Sequence, residues 1–176
     1  MIEERIRATV RDVPDFPKPG IVFKDITPVL LDAALCREIS AYLKEYYSTR
    51  QIDLVLGVES RGFFFGLRLA NDLNVPFAPV RKKGKLPAST IGVKYDLEYG
   101  EAEIEMHDDV VKPRMKVLIH DDLLATGGTA EAAAKLVEMQ GGEVVGFDFL
   151  VELGFLNGRE ILSPYCQNIH NLAAWK

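Results

Sequence analysis

The sequence predicts an α/β fold: a mainly parallel central sheet flanked by helices, with a small N-terminal hood and a flexible lid hairpin. Three observations lead there. Short apolar runs of strand character alternate with segments of helical periodicity, the order that builds a parallel sheet covered on both faces. The chain has 176 residues, the size of one domain, so residues 1–176 are read as a single unit. Residues 82–107 interrupt the alternation, as a long excursion from a compact sheet does.

Ile2, Ile6 and Val10 recur at helical spacing through Val13, so a helix is expected to run up to Pro14, Pro17 and Pro19. Ile21 to Thr27 reads as an extended segment that starts after Pro19-Gly20 and is closed by Pro28. Residues 1–33 together make the arm and hood. From Ala34 to Ser48, the residues Leu35, Ile39, Tyr42, Leu43 and Tyr46 form one apolar stripe, the pattern of a helix packed on a sheet. Leu54 to Val58 is a buried strand, Arg61 to Leu73 a helix, Pro76 to Val80 and Met115 to His120 two further strands. Glu131 to Gln140 is a helix ended by Gly141-Gly142, and Val144 to Leu153 supplies another strand.

The excursion at 82–107 opens with a basic Gly- and Pro-containing run and ends in a hairpin expected to turn near Gly100, a natural lid. Glu101, Glu103 and Glu105 alternate along it and read as a solvated strand face.

Composition narrows the function. Hydrophobic residues make up 48% and charged residues 27%, enough for a packed core without staples. The net charge of −5 argues against a general nucleic-acid binder, which needs a broad basic face. Cys36 and Cys166 stand far apart without metal-ligand companions and read as idle thiols of a reducing compartment. The charged start, Met1-Ile-Glu-Glu-Arg-Ile-Arg7, does not suit a signal peptide, and no run has the roughly 20 apolar residues of a membrane span, so a cytoplasmic protein without membrane partners is expected. His107 and His170 have no ligand spacing, and Trp175 reads as a docking residue near the end.

In open α/β sheets the ligand lies at the carboxyl ends of the strands. Three such ends carry charge or glycine: Glu59-Ser-Arg-Gly62, Arg81-Lys-Lys-Gly-Lys85 and Asp121-Asp-Leu-Leu-Ala-Thr-Gly-Gly-Thr129. In the last, Gly127 and Gly128 let backbone N–H groups converge, Thr126 and Thr129 add hydroxyl donors, and the following helix attracts negative charge, so the loop from Ala125 suits a phosphate monoester. Asp121 and Asp122 would repel that phosphate unless they held something neutral or cationic. A ribose diol fits, because hydroxyls donate to carboxylates, and magnesium on the same sugar lowers the repulsion. The pattern therefore indicates a ribose 5-phosphate gripped at its diol and its phosphate. Neither a P-loop lysine motif nor a dinucleotide glycine motif occurs.

Val117-Leu-Ile-His-Asp-Asp-Leu-Leu-Ala-Thr-Gly-Gly-Thr129 resembles the phosphoribosyl pyrophosphate loop of the type I phosphoribosyltransferases. Phe16 to Ile26, Glu59 to Gly66, Arg81 to Pro87, Leu97-Glu-Tyr-Gly100 and Leu150 to Leu153 extend the resemblance over most of the chain and point to the adenine branch of that family. The resemblance implies transfer of phosphoribosyl from phosphoribosyl pyrophosphate to adenine, giving AMP and pyrophosphate, with magnesium held mainly through substrate and water and with a homodimer as the assembly. It places Glu98 as the acid/base at the purine, Ser60, Arg61, Arg81, Lys82 and Lys85 at pyrophosphate, and Val22, Phe23 and Lys24 at adenine. The cations fit the chemistry, because departure of pyrophosphate leaves a highly charged group to stabilise. Two other readings stay open: a different purine base, or a regulator that binds phosphoribosyl pyrophosphate without turnover. Two positions depart from the family pattern. Lys24 stands where arginine is common, and His120 replaces an apolar residue, for which a packed, hydrogen-bonded histidine is expected.

Overall fold

A computed structural model describes residues 1–96 and 101–176 of the chain. Helix α1 (Ile2–Thr9) is followed by β1 (Arg11–Pro14) and β2 (Val22–Asp25), then by helices α2 (Thr27–Leu31) and α3 (Ala33–Tyr47). Strand β3 (Leu54–Val58), helix α4 (Gly62–Leu73), β4 (Phe77–Lys82), β5 (Thr90–Asp96) and β6 (Glu101–His107) come next. The chain closes with β7 (Lys116–Leu124), α5 (Gly128–Met139), β8 (Glu143–Leu153), α6 (Gly158–Leu162) and β9 (Ile169–Trp175).

Seven strands form the central sheet in the order β5-β6-β4-β3-β7-β8-β9. The five from β4 to β9 are parallel, and β6 runs antiparallel to both β4 and β5. The expected mainly parallel sheet is present, with the hairpin strands as its antiparallel extension. The core divides by sheet face. Leu54, Leu56, Val58, Val117 and Ile119 pack with the alanine-rich side of α5, whereas Val55, Leu118 and Leu150 pack with Leu35, Ile39 and Leu43 of α3 and with Phe65 and Leu69 of α4. Each fully buried aliphatic side chain contributes about 1.5–3 kcal/mol, so these two layers fix the positions of the strand ends.

Local chemistry explains most boundaries. Helix α3 starts where Asp32 Oδ1 accepts hydrogen bonds from the N–H groups of Ala34 and Leu35, both at 2.9 Å. Helix α4 ends at Asn74, whose φ of 57° supplies the left-handed cap.

Several boundaries differ from the sequence reading. The first helix stops at Thr9 instead of continuing to Val13, because Arg11–Pro14 is drawn into an antiparallel pair with Val22–Asp25. Pro28 does not close a segment; it sits in the first turn of α2, where its missing N–H has no helical partner to lose. Strand β7 passes through both aspartates to Leu124, since Leu123 and Leu124 pair with Val151 and Glu152 of β8. Helix α5 begins at Gly128, ahead of the Glu131 expected. Strand β9 and helix α6 have too little apolar periodicity to read; β9 depends on β8 for its pairing, and α6 packs against α5. Glu105 is not on a solvated face: it is buried and accepts hydrogen bonds from the N–H groups of Lys85 and Leu86, because the 83–89 loop folds back over β6. The expected turn at Gly100 lies outside the described residues.

Candidate active site

A cleft of about 360 Å³ opens at the carboxyl ends of β3 and β7 and is bordered by Ser60, Arg61, Lys82, Asp121, Asp122 and Thr129. Its shape depends on close approach between α4 and β7. A Cβ on Gly62 would lie 2.7 Å from the His120 carbonyl oxygen and 3.1 Å from Asp121 Oδ1, so only glycine lets the helix begin there. That approach brings Arg61, the residue before the helix, to Asp122: Nε donates to Oδ2 at 2.5 Å.

The two carboxylates are not equivalent. Asp122 is buried and ion-paired with Arg61. Asp121, on the other face of β7, accepts the Asp122 N–H at 2.8 Å. Burial pushes the Asp121 carboxyl well above the usual carboxylate range, and the neighbouring Asp122 charge adds to the rise.

The glycine loop forms a smaller recess of about 70 Å³, lined by Ala125, Thr126, Gly127, Gly128 and Thr129 and continuous with Asp121. Gly127 has φ +90° and a backbone position that Gly158 of α6 approaches closely, so a Cβ at 127 would sit 2.8 Å from the Gly158 carbonyl oxygen. Backbone N–H groups gathered at the start of α5 make this recess suited to an anion.

Of the basic residues, Lys82 borders the cleft. Arg81 is held behind it, Nε donating to Glu59 Oε2 at 3.2 Å and Nη1 to the Lys85 carbonyl at 3.1 Å. Glu59 Oε2 also accepts the Lys82 N–H at 2.9 Å. Burial opposes ionisation of Glu59, but the Lys82 N–H and the Arg81 guanidinium outweigh it and hold the carboxyl below its ordinary range. Lys85 is exposed and does not border the cleft; its N–H is fixed by Glu105.

Phe23 of the hood reaches the site through Arg61, whose guanidinium carbon lies 5.2 Å from the ring centre. Phe16 packs edge-on against Phe23 at 5.2 Å, and Val22 is exposed beside them. The Lys24 side chain is not brought to the cleft. It is buried, with Nζ 2.5 Å from Asp12 Oδ1 and 5.1 Å from the Trp175 ring centre. Trp175 thus docks the hood, as Arg7 does from α1 through the Ala174 carbonyl. Glu98 lies outside the described residues.

Sequence reasoning missed Glu59 as an anchor and Tyr95, whose hydroxyl accepts from Thr129 Oγ1 at 3.3 Å and closes the cleft from β5. Glu59 opens one of the charged strand ends and was legible there. Tyr95 carried no local signal.

Among the described residues, no three acid, histidine or cysteine side chains converge to hold a metal ion. Asp121 and Asp122 suit a hydrated magnesium carried by the sugar, with the carboxylates meeting its water or the hydroxyls.

The phosphoribosyl transferase domain family matches residues 29–155, a span that includes the cleft and the glycine loop. Adenine phosphoribosyltransferase of Cytophaga hutchinsonii is 50% identical over 98% of this chain and 95% of its own length. The chain belongs to the adenine phosphoribosyltransferase family. The crystal structure of the adenine phosphoribosyltransferase from Thermoanaerobacter pseudethanolicus matches 99% of this chain and 100% of its own with a TM-score of 0.94 and 49% identity. The Saccharomyces cerevisiae member, solved with an imino-altritol bisphosphate and adenine, is 35% identical with a TM-score of 0.89, covering 97% of this chain and 98% of that one. In this family's fold the cleft and recess described above lie at the strand ends expected for a ligand site.

Proposed function

We propose that this chain catalyses transfer of the 5-phosphoribosyl group from phosphoribosyl pyrophosphate to adenine, giving AMP and pyrophosphate in purine salvage. The single observation that carries the assignment to these residues is the continuity of the Asp121–Asp122 pair with the Ala125–Thr129 recess, two grips of opposite chemistry that share Asp121 and Thr129 as lining. The yeast relative's adenine supports the choice of base.

The 5-phosphate sits in the recess, where N–H groups of residues 126–129 and the hydroxyls of Thr126 and Thr129 donate to it. Asp121 and Asp122 accept from the ribose hydroxyls. Ser60, Arg61 and Lys82 meet the pyrophosphate, Arg81 exchanges Glu59 for it from the end of β4, and Lys85 closes from the basic loop, so that positive charge is present where the leaving group gains negative charge. Magnesium, when bound with the substrate, neutralises the phosphates and supports the departing pyrophosphate. The Val22 backbone offers a C=O and an N–H to the purine edge, Phe23 covers the base face, and Lys24 holds that strand in place through Asp12. Glu98 takes the purine proton in the forward direction and returns it in reverse.

Residues 1–33 act as the hood and 82–107 as the lid of one folded unit. The assembly is a homodimer, for which the exposed Phe64 and Leu67 of α4 supply apolar surface. Among the described residues no helix is long and apolar enough to cross a membrane, and the compartment proposed is the cytoplasm.

Incubation with magnesium, phosphoribosyl pyrophosphate and one nucleobase at a time tests the assignment. Pyrophosphate release and AMP formation with adenine, and little with hypoxanthine, guanine or xanthine, are expected. Equal turnover of another purine would reassign the base, and binding of phosphoribosyl pyrophosphate with no product would reassign the protein as a sensor.

A further inference from the structure

We infer that His120, held by Asp148, is a positioning residue that sets the carboxyl end of β7 against α4 and thereby holds Asp122 and Arg61 in the cleft. The inference rests on the phosphoribosyltransferase reading of the site.

His120, Asp148 and His170 are register partners on β7, β8 and β9 and lie in a line across the sheet. Asp148 is wholly buried. Its Oδ2 is 2.6 Å from His120 Nδ1, and its Oδ1 is 2.6 Å from His170 Nδ1 and 3.0 Å from the Tyr47 hydroxyl. Burial alone would push the Asp148 carboxyl up, but the hydrogen bonds from the two imidazoles more than offset it, and the group is held below its ordinary range as an anion. An anionic Asp148 accepts from both rings, so each imidazole carries a hydrogen on Nδ1. The other nitrogen of His120, Nε2, is buried and has no hydrogen-bond partner among the described residues. The ring is therefore anchored from one side only, and Asp148 decides its orientation.

That orientation matters because of where the ring sits. Side chains alternate along β7, so Leu118, His120 and Asp122 share the face toward α4. The His120 ring shares a slot under α4 with the Phe77 ring: a Cβ on Gly66 of α4 would lie 3.1 Å from Phe77 Cε2 and 3.3 Å from His120 Cδ2, and Gly57, the register partner of His120 on β3, makes room for Phe77. The His120 carbonyl is also the atom nearest to Gly62 at the first turn of α4. One residue thus touches the helix at two levels, and the next side chain on the same face is Asp122, bound to Arg61 at 2.5 Å. A leucine of similar volume would fill the slot, but it would leave Asp148 without the donor on its β7 side and free β7 to shift under the helix.

The test is steady-state kinetics of H120L, H120N and H120Q, since KM does not depend on the fraction of protein that is folded. Asparagine places its amide donor near the position of Nδ1, whereas glutamine places it near Nε2. H120L and H120Q should raise KM for phosphoribosyl pyrophosphate about tenfold with KM for adenine within about twofold, and H120N should recover to within about threefold of wild type. Unchanged KM in H120L or H120Q, with only a lower melting temperature or a lower apparent kcat, would overturn the positioning role and leave a packing role. Failure of H120N to recover KM would also overturn it. Wild-type protein that forms no AMP would instead defeat the functional reading itself.

Discussion

Arg61 and Asp122 form an ion pair at 2.5 Å that joins the start of α4 to the end of β7, with Asp122 buried and Arg61 only half so. Without substrate the acid occupies the arginine. On the proposed function, the pyrophosphate and the ribose would compete for the two partners of this pair. D122N removes the charge proposed to receive the hydroxyl. KM for phosphoribosyl pyrophosphate is expected to rise about tenfold or more, read from initial rates at saturating adenine. An unaffected rate would remove Asp122 from the site.

Asp121 should trade stability against binding. Its folded-state pKa is raised, by burial first and then by Asp122. A raised acid contributes stability that is full below the unfolded value, about 3.9, and lost as pH rises through the folded value. At neutral pH the ionised form therefore works against the ligand-free fold. D121N is expected to melt roughly 2–6 °C higher than wild type at pH 7, with the gap closing as pH falls toward 4. The same variant should use phosphoribosyl pyrophosphate about tenfold less well. A lower melting temperature at pH 7 would contradict the burial argument.

Gly158 backs the glycine-loop recess. A Cβ there would overlap the Ala125 carbonyl oxygen and lie 2.8 Å from Leu124 Cδ1, so either α6 or the glycine loop must move. G158A is expected to cost about 1–3 kcal/mol of stability by overpacking. It should also raise KM for phosphoribosyl pyrophosphate several-fold while KM for adenine holds. Chemical denaturation and the two KM values check this, and equal effects on both substrates would assign the change to general loosening.

Lys24 is a hood residue whose side chain is buried against Asp12 and Trp175 and does not line the cleft. K24M leaves Asp12 without its partner at a site where the lysine stem is already packed against Trp175. A fall in melting temperature of roughly 2–6 °C is expected, with the preference for adenine over hypoxanthine unchanged. A changed preference would return the Lys24 side chain to base selection.

The candidate site was legible in the sequence to the extent that its chemistry is local. The acid pair, the glycine loop and the basic run are contiguous stretches, and the first two line the cleft and the recess together with Lys82 of the third. Arg61 was legible as a cation at a strand end, but its pairing with Asp122 joins residues far apart in the chain. Tyr95 and Gly158 act only through partners on other elements, Thr129 in one case and Gly127 in the other. Glu105 read as solvated because its strand alternates, and burial came from a loop that folds back across it.

From the sequence alone came the alternation that makes the sheet parallel and the strand ends, rich in charge and glycine, that line the cleft and the recess. Periodicity and short-range spacing encode these features, because side-chain direction in helices and strands repeats over a few residues. The tertiary structure alone decided that β7 runs through both aspartates, that Arg11–Pro14 is a strand, and that His120 hangs from Asp148. Each of these depends on hydrogen bonds to a partner strand, and no local pattern records which partner will be there.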